Sequence, residues 1–417
     1  MTGTNVRRRR EVLALLGLAV GLAGCAESLT GDSEATASGN SESDPGSGSA
    51  SGAPTVTNWS PGDYPDWPMS SHDPGNTGHN PNATGVPDDP SVVAQYGSGI
   101  VGGLEGEPTI RDGRVYFHTD QNQLFVYDTL ANDRVYSHKV VEAGRGPAVV
   151  GPDHVFLTAD EEIRALPRGD AAPQQRAWST GFEYTRFGES TGTLLGDTLY
   201  VIETGEEPGE PSVHALETGT GEERWSAPDI VSQNDVAVRN GTVVASQHRD
   251  SPKAFELETG ELRWEADLEA GITAAVAGPD RVYVTGNHVR GNRPFVYALD
   301  YGSGEVQWKF RVPFGVVSRP ALADGTLFAP DGEGQLFAVD GETGDQQWEA
   351  PLGTNPSRPA VADGVVYVGD ESGTVHAFDA ATGERQWHLD ARRGRVLYGP
   401  IVVGDRLYVH KTAVGRA

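Results

Sequence analysis

The chain has 417 residues, with 59 acidic against 32 basic side chains, a formal charge of −27, a single cysteine and 37% hydrophobic residues. Lysine is confined to Lys139, Lys253, Lys309 and Lys411, while carboxylates run through the whole length, a surface that repels nucleic-acid phosphates and anionic headgroups. One thiol excludes disulfides and multi-cysteine metal sites, and 54 glycines with 27 prolines predict many short strands joined by tight turns, an all-β fold.

In chain order the first element is a basic block, Arg7, Arg8, Arg9 and Arg10, followed by an apolar run over residues 13–22. That run is too short to span a bilayer and suits the h-region of an export signal. Arg9-Arg10-Glu11-Val12-Leu13 resembles a twin-arginine signal, and Leu22-Ala23-Gly24-Cys25 resembles a lipobox, in which the cysteine thiol takes the lipid. Cys25 is therefore the expected lipidation site, with a spare thiol in an uncleaved membrane helix as the alternative. Residues 26–62 are Ser, Gly, Ala and acidic, with almost no large apolar group before Trp59. Such a segment buries too little surface to offset chain entropy and reads as a flexible tether. The expected organisation is a signal peptide over 1–25, a tether over 26–62 and a globular region over 63–417.

From Gly106 onward one unit of about 40 residues recurs. Its clearest copy runs from Ser357 to Trp387 and predicts four short strands, over 359–362, 365–368, 374–378 and 386–389, with Asp363-Gly364 as a hairpin turn. The unit ends in A-x-D-x-x-T-G-x-x-x-W. Copies are Ala298/Asp300/Ser303/Gly304/Trp308, Ala338/Asp340/Thr343/Gly344/Trp348 and Ala377/Asp379/Thr382/Gly383/Trp387, with Glu at the acid position in the copies ending at Trp225 and Trp264. A carboxylate there accepts bonds from the N–H groups of the following turn, and the indole serves as a large apolar wedge between sheets.

This pattern resembles the tryptophan-docking repeat of the pyrroloquinoline quinone (PQQ) enzyme superfamily, including the repeats of the bacterial outer-membrane assembly propeller lipoprotein. Trp67-Pro68-Met69-Ser70-Ser71-His72-Asp73 through Pro81 resembles the opening segment before such propellers. The resemblance implies a β-propeller of four-stranded antiparallel blades. Fourth strands fall at Tyr96, Tyr136, Trp178, Trp225, Trp264, Trp308, Trp348 and Trp387, which makes eight blades, the last closed by the N-terminal strand at 92–96. A seven-bladed ring with a decorative last half-blade is the alternative. The acidic composition matches high-salt adaptation and looks haloarchaeal, with a surface shaped for one cationic partner as the other reading.

Asp300, Asp340 and Asp379 and the indoles of Trp225, Trp264, Trp308, Trp348 and Trp387 are read as structural docking groups, not as a catalytic cluster or ligand cage. No catalytic residue is assigned. The 11 histidines form no metal-binding pair beside an acid, so no metal site is expected. A quinoprotein oxidoreductase would need PQQ, Ca²⁺, a catalytic Asp and in many members a vicinal disulfide, which one cysteine forbids. The expectation is therefore no cofactor, with PQQ and calcium as the alternative.

Repeat alignment places Glu107, Gly146, Thr191, Asp235, Ile272, Arg319, Arg358 and Gly399 just before the innermost strands, at the mouth of the central channel. Arg319 and Arg358, on neighbouring blades, suggest a clamp for an anion or carboxylate ligand. Alternatively they neutralise Glu107, Asp235 or other channel acids. The expected molecule is a monomeric, exported propeller, lipid-anchored to the outer face of the cytoplasmic membrane, binding or scaffolding a protein or small molecule and no nucleic acid.

Overall fold

The structure, a computed structural model, describes residues 12–16, 59–86, 90, 92–96 and, from 106 to 411, all but 120, 141–145, 160–161, 183–191, 204–211, 231–235, 247–250, 269, 289–293, 316–317, 391–395 and 397. The repeat folds as its period requires. In the clearest copy the strands are Ala360–Ala362, Val365–Gly369, Thr374–Asp379 and Arg385–Asp390. Asp363 and Gly364 both take positive φ, 49° and 69°, the pair of left-handed residues that a two-residue hairpin matched to strand twist demands. Asp112-Gly113, Asn240-Gly241 and Asp324-Gly325 repeat it.

Seven such blades follow one another over 109–139, 149–181, 193–228, 237–265, 270–311, 321–351 and 360–390, each a four-stranded antiparallel sheet in hairpin order. First strands of neighbouring blades approach each other, so they line the axis and the later strands lie outward. An eighth four-stranded sheet closes the ring. The seven-blade alternative is thereby set aside. Among the described residues no helix is long and apolar enough to cross a membrane.

The closing blade departs from the expected all-antiparallel design. Ile401–Val403 and Arg406–Lys411 form its first two strands, and Val92–Tyr96 is its outermost strand, as expected. Between them lies Val12–Leu16, from the run read as an export signal, pairing parallel with both neighbours. The physical reason is a gap in the repeat: no copy of the third strand precedes Val92–Tyr96, and an apolar segment takes the open ladder position.

Each blade buries its faces against its neighbours, in clusters such as Val276, Tyr283, Leu322, Leu327 and Phe337 between the fifth and sixth. The indoles lie where the wedge was expected, Trp225, Trp264 and Trp387 at 8%, 6% and 7% exposure. Trp59, placed in the tether by composition, is instead buried: its Nε1 donates to Val238 O at 2.9 Å and Arg239 stacks on its ring. Part of the stretch read as tether, at Trp59, therefore belongs to the fold, because one aromatic ring in a polar segment found a partner in the fourth blade.

Candidate functional site

Residues 59–86 enter the axis and form a hub inside the ring. The chain addresses successive blades in order. Trp67 exchanges two backbone bonds with Ile110 of the first blade, and Val150 of the second donates to Pro68 O at 2.8 Å. Met69 packs with Val149 and with Leu194 of the third. Pro74 O, Gly75 O, Thr77 O and Gly78 O then accept from Val238, Ala277, Leu322 and Val361 of the fourth to seventh blades. In the eighth, Val402 O accepts from Asn80 Nδ2 at 2.9 Å and Gly404 O from Thr84 N at 2.8 Å. One irregular segment thus satisfies inner-strand groups that the propeller itself leaves unpaired.

Asp73 holds the hub's turn together. Its carboxylate accepts from Gly75 N and Thr77 N at 3.0 and 3.1 Å and from the Thr77 hydroxyl, and it meets His72 Nδ1 at 3.2 Å. Ser71, His72 and Asn76 sit at positive φ of 56°, 80° and 58°. Such left-handed residues persist where surrounding bonds over-determine them.

Beside Ser70 and Ser71 of the hub, three of the sequence-derived mouth residues, Glu107, Arg319 and Arg358, meet. Arg358 Nη1 donates to the hydroxyls of Ser70 and Ser71, each at 2.7 Å, and its Nη2 pairs with Glu107. Arg319 Nη1 donates to Ser71 Oγ at 2.9 Å. Glu107 also accepts from Ser71 N at 3.2 Å and is 4% exposed. Burial pushes the Arg358 guanidinium down to about 10, so it remains charged at neutral pH. Glu107, Arg319 and Arg358 thus meet in one network, of the neutralising kind weighed above for Arg358. Asp235, Thr191 and Cys25 lie outside the described residues.

Asp300, Asp340 and Asp379 stand apart from this network. Each carboxylate caps its own turn: Asp340 Oδ1 accepts from Glu342 N and Thr343 N at 2.9 and 2.8 Å, and Asp300 and Asp379 do the same two and three residues on. These bonds hold the Asp300 and Asp340 carboxyls below the usual range. The five docking indoles sit between blades, away from the mouth.

Sequence reasoning assigned no role to Ser70 and Ser71, whose hydroxyls join both guanidiniums. A signal was present: Ser70 to Asn80 is dense in turn formers and uncharged polar groups, the composition of an irregular segment that is hydrogen-bonded internally. Glu107 is held by Arg358, and among the described residues no three His, Asp or Glu side chains converge as metal ligands.

The chain matches the family described as outer membrane protein assembly factor BamB over residues 79–228, 159–289, 209–358 and 292–416. Over 135 residues, 30% of the chain, it is 29% identical to outer membrane protein assembly factor BamB of Yersinia pestis, and it spans only 34% of that protein's length. The structure resembles BamB from Moraxella catarrhalis with a TM-score of 0.59 at 14% identity, covering 74% of this chain and 93% of that one. It also resembles the quinohemoprotein alcohol dehydrogenase of Comamonas testosteroni, with a TM-score of 0.58 at 16% identity, covering 83% of this chain and 76% of that one. These likenesses show a shared propeller fold.

Proposed function

Because the chain belongs to the family described as outer membrane protein assembly factor BamB, a family of PQQ-like propeller repeats, we propose that it is a non-catalytic binding or scaffolding propeller. In this reading it is exported and held at the outer face of the cytoplasmic membrane by a lipid on Cys25. It presents its blade surfaces to a protein or small molecule outside the cell.

The observation that carries the reading is the state of the channel mouth. Arg358 is engaged with Glu107, Ser70 and Ser71, and Arg319 with Ser71. These charges brace the hub against the first, sixth and seventh blades. A mouth built that way supports a rigid platform rather than a reaction chamber, because buried charges already paired cost several kcal/mol to free. Rigid propellers offer loops and blade edges for recognition, and fold likeness alone assigns no chemistry.

Two measurements test this. Fractionation of cells producing the chain and its Cys25→Ala variant is expected to find the first with membranes, open to external protease, and the second released. Titration of PQQ with Ca²⁺ into the purified protein in high salt is expected to give no bound absorbance spectrum. Tight stoichiometric quinone binding would overturn the non-catalytic reading, and membrane retention of the Cys25→Ala variant would overturn the anchor.

A further inference from the structure

In the seven blades between 109 and 390 the third strand runs antiparallel to both the second and the fourth, as Thr374–Asp379 does between Val365–Gly369 and Arg385–Asp390. Second and fourth strands therefore point the same way. The closing blade keeps that arrangement: Arg406–Lys411 and Val92–Tyr96 are both parallel to Val12–Leu16, hence parallel to one another. The place between them is shaped for a strand of the opposite direction. Val12–Leu16 fills it in the wrong direction, and its ladder with Val92–Tyr96 slips between Val12 and Ala14. Parallel pairing is the weaker kind per residue.

We propose that this third-strand place is a strand-exchange site, in which Val12–Leu16 is a displaceable placeholder and the incoming ligand is an extended segment of a partner protein running antiparallel to Arg406–Lys411. The chemistry of that segment follows from the third strands already in the ring. In Gln335–Asp340 and Thr374–Asp379 the second residue is Leu336 or Val375, the fourth Ala338 or Ala377 and the fifth Val339 or Phe378, all at 0 or 1% exposure. Large apolar groups at positions two and five with a small one at four are what the wedge between two sheets admits. On the receiving strand, Leu407, Tyr408 and Val409 are buried at 0, 2 and 1%. Backbone bonds to two open ladders supply affinity, and the small residue at four supplies selection.

This goes beyond the binding role proposed above and rests on it only in taking a protein segment as ligand. In the lipid-anchored reading, processing before Cys25 removes Val12–Leu16 and leaves the third-strand place open, so the placeholder belongs to the unprocessed full chain, the form tested below. Quinone titration does not involve the site, and either idea can fail alone.

The probe is a labelled peptide with the sequence of residues 373–380, Gly-Thr-Val-His-Ala-Phe-Asp-Ala, added to the full chain and to its Ala14→Pro variant. Proline removes a ladder donor from the placeholder and weakens its hold. The expected result is at least tenfold tighter peptide binding by the variant, with slowed amide exchange over 406–411 and 92–96 when peptide is bound. A peptide carrying Ala377→Lys is expected not to bind. Equal or absent binding by both proteins, equal binding of the lysine peptide, or protection elsewhere in the ring would overturn the proposal. Should Ala14→Pro unfold the chain, Leu13→Lys in the same strand is read by the same criteria.

Discussion

The indole Nε1 of Trp308 donates to the carbonyl of Gly341 at 3.1 Å, across the boundary from the fifth blade to the sixth. The same step joins Trp178 to Thr218, Trp225 to Leu257, Trp264 to Tyr301 and Trp348 to Ala380, at 2.7 to 3.0 Å. The Thr-Gly turn that ends one blade's third strand is thus the dock for the previous blade's tryptophan. The residues of one motif serve two neighbours.

Gly344 and Gly325 isolate that docking role, since both have φ of +79°. A Cβ on Gly344 would lie 2.7 Å from the Trp308 ring, whereas one on Gly325 would meet nothing within 4 Å. Gly325→Ala is expected to cost only left-handed strain, about 1–2 kcal/mol. Gly344→Ala adds the displaced indole and should cost about 3 kcal/mol or more. Denaturant unfolding of the two variants in high salt checks the difference, and equal losses would refute the dock.

Gly341 O also accepts from the Tyr283 hydroxyl at 3.0 Å. Trp308→Phe or Tyr283→Phe alone leaves the carbonyl one side-chain donor, so each should lose about 1 kcal/mol from the hydrogen bond. The double variant strands the acceptor. Its loss is expected to exceed the sum of the single losses by about 1 kcal/mol, measured as a double-mutant cycle.

Glu107 and Arg358 make a buried pair, with side-chain exposures of 3% and 20%. Glu107→Leu leaves the guanidinium without its counter-charge and should destabilise by about 3 kcal/mol. Glu107→Leu with Arg358→Leu removes both charges and should recover much of that loss. Unfolding midpoints of the single and double variants decide it; an equally damaged double variant would mean that Arg358 matters chiefly through Ser70 and Ser71.

His410 is 2% exposed, packs against the Tyr398 ring at 5.0 Å, and neither ring nitrogen has a hydrogen-bond partner among the described residues. Burial pushes it down to about 4 from its ordinary 6.5. Between those values the unfolded chain binds the proton and the folded one does not, so stability falls as pH drops from 6.5 to 4. The loss through this group should approach about 3 kcal/mol. Asp300 and Asp340, whose carboxyls are held low, lose their contribution only below the carboxylate range. A His410→Phe variant should reduce the fall of unfolding free energy between pH 6.5 and 4, leaving the share of His79 and His138, which burial also pushes down, and leaving the acid limb unchanged.

Much of the ring was legible because it is local and repeated. Asp363-Gly364, Thr382-Gly383 and Trp387 each state a turn or a wedge within a few residues, and their recurrence counts the complete blades, leaving the last half-blade to the tertiary structure. The hub was not legible in that way. Ser70 and Ser71 meet Arg319 and Arg358 across more than 240 residues of chain, and no periodicity relates a single unrepeated segment to every blade it touches.

The sequence by itself determined the all-β architecture, the blade unit, the docking motif and the position of Val92–Tyr96 as the closing strand, since short-range patterning and turn chemistry suffice for these. Only the tertiary structure decided that Trp59 belongs to the fold, that residues 59–86 fill the axis, that Arg358 pairs with Glu107, and that Val12–Leu16 takes the third place in the last blade against the direction of the others. Those choices depend on which unpaired backbone groups and buried charges are left over once the ring has closed. A residue's own neighbours in sequence carry no information about that remainder.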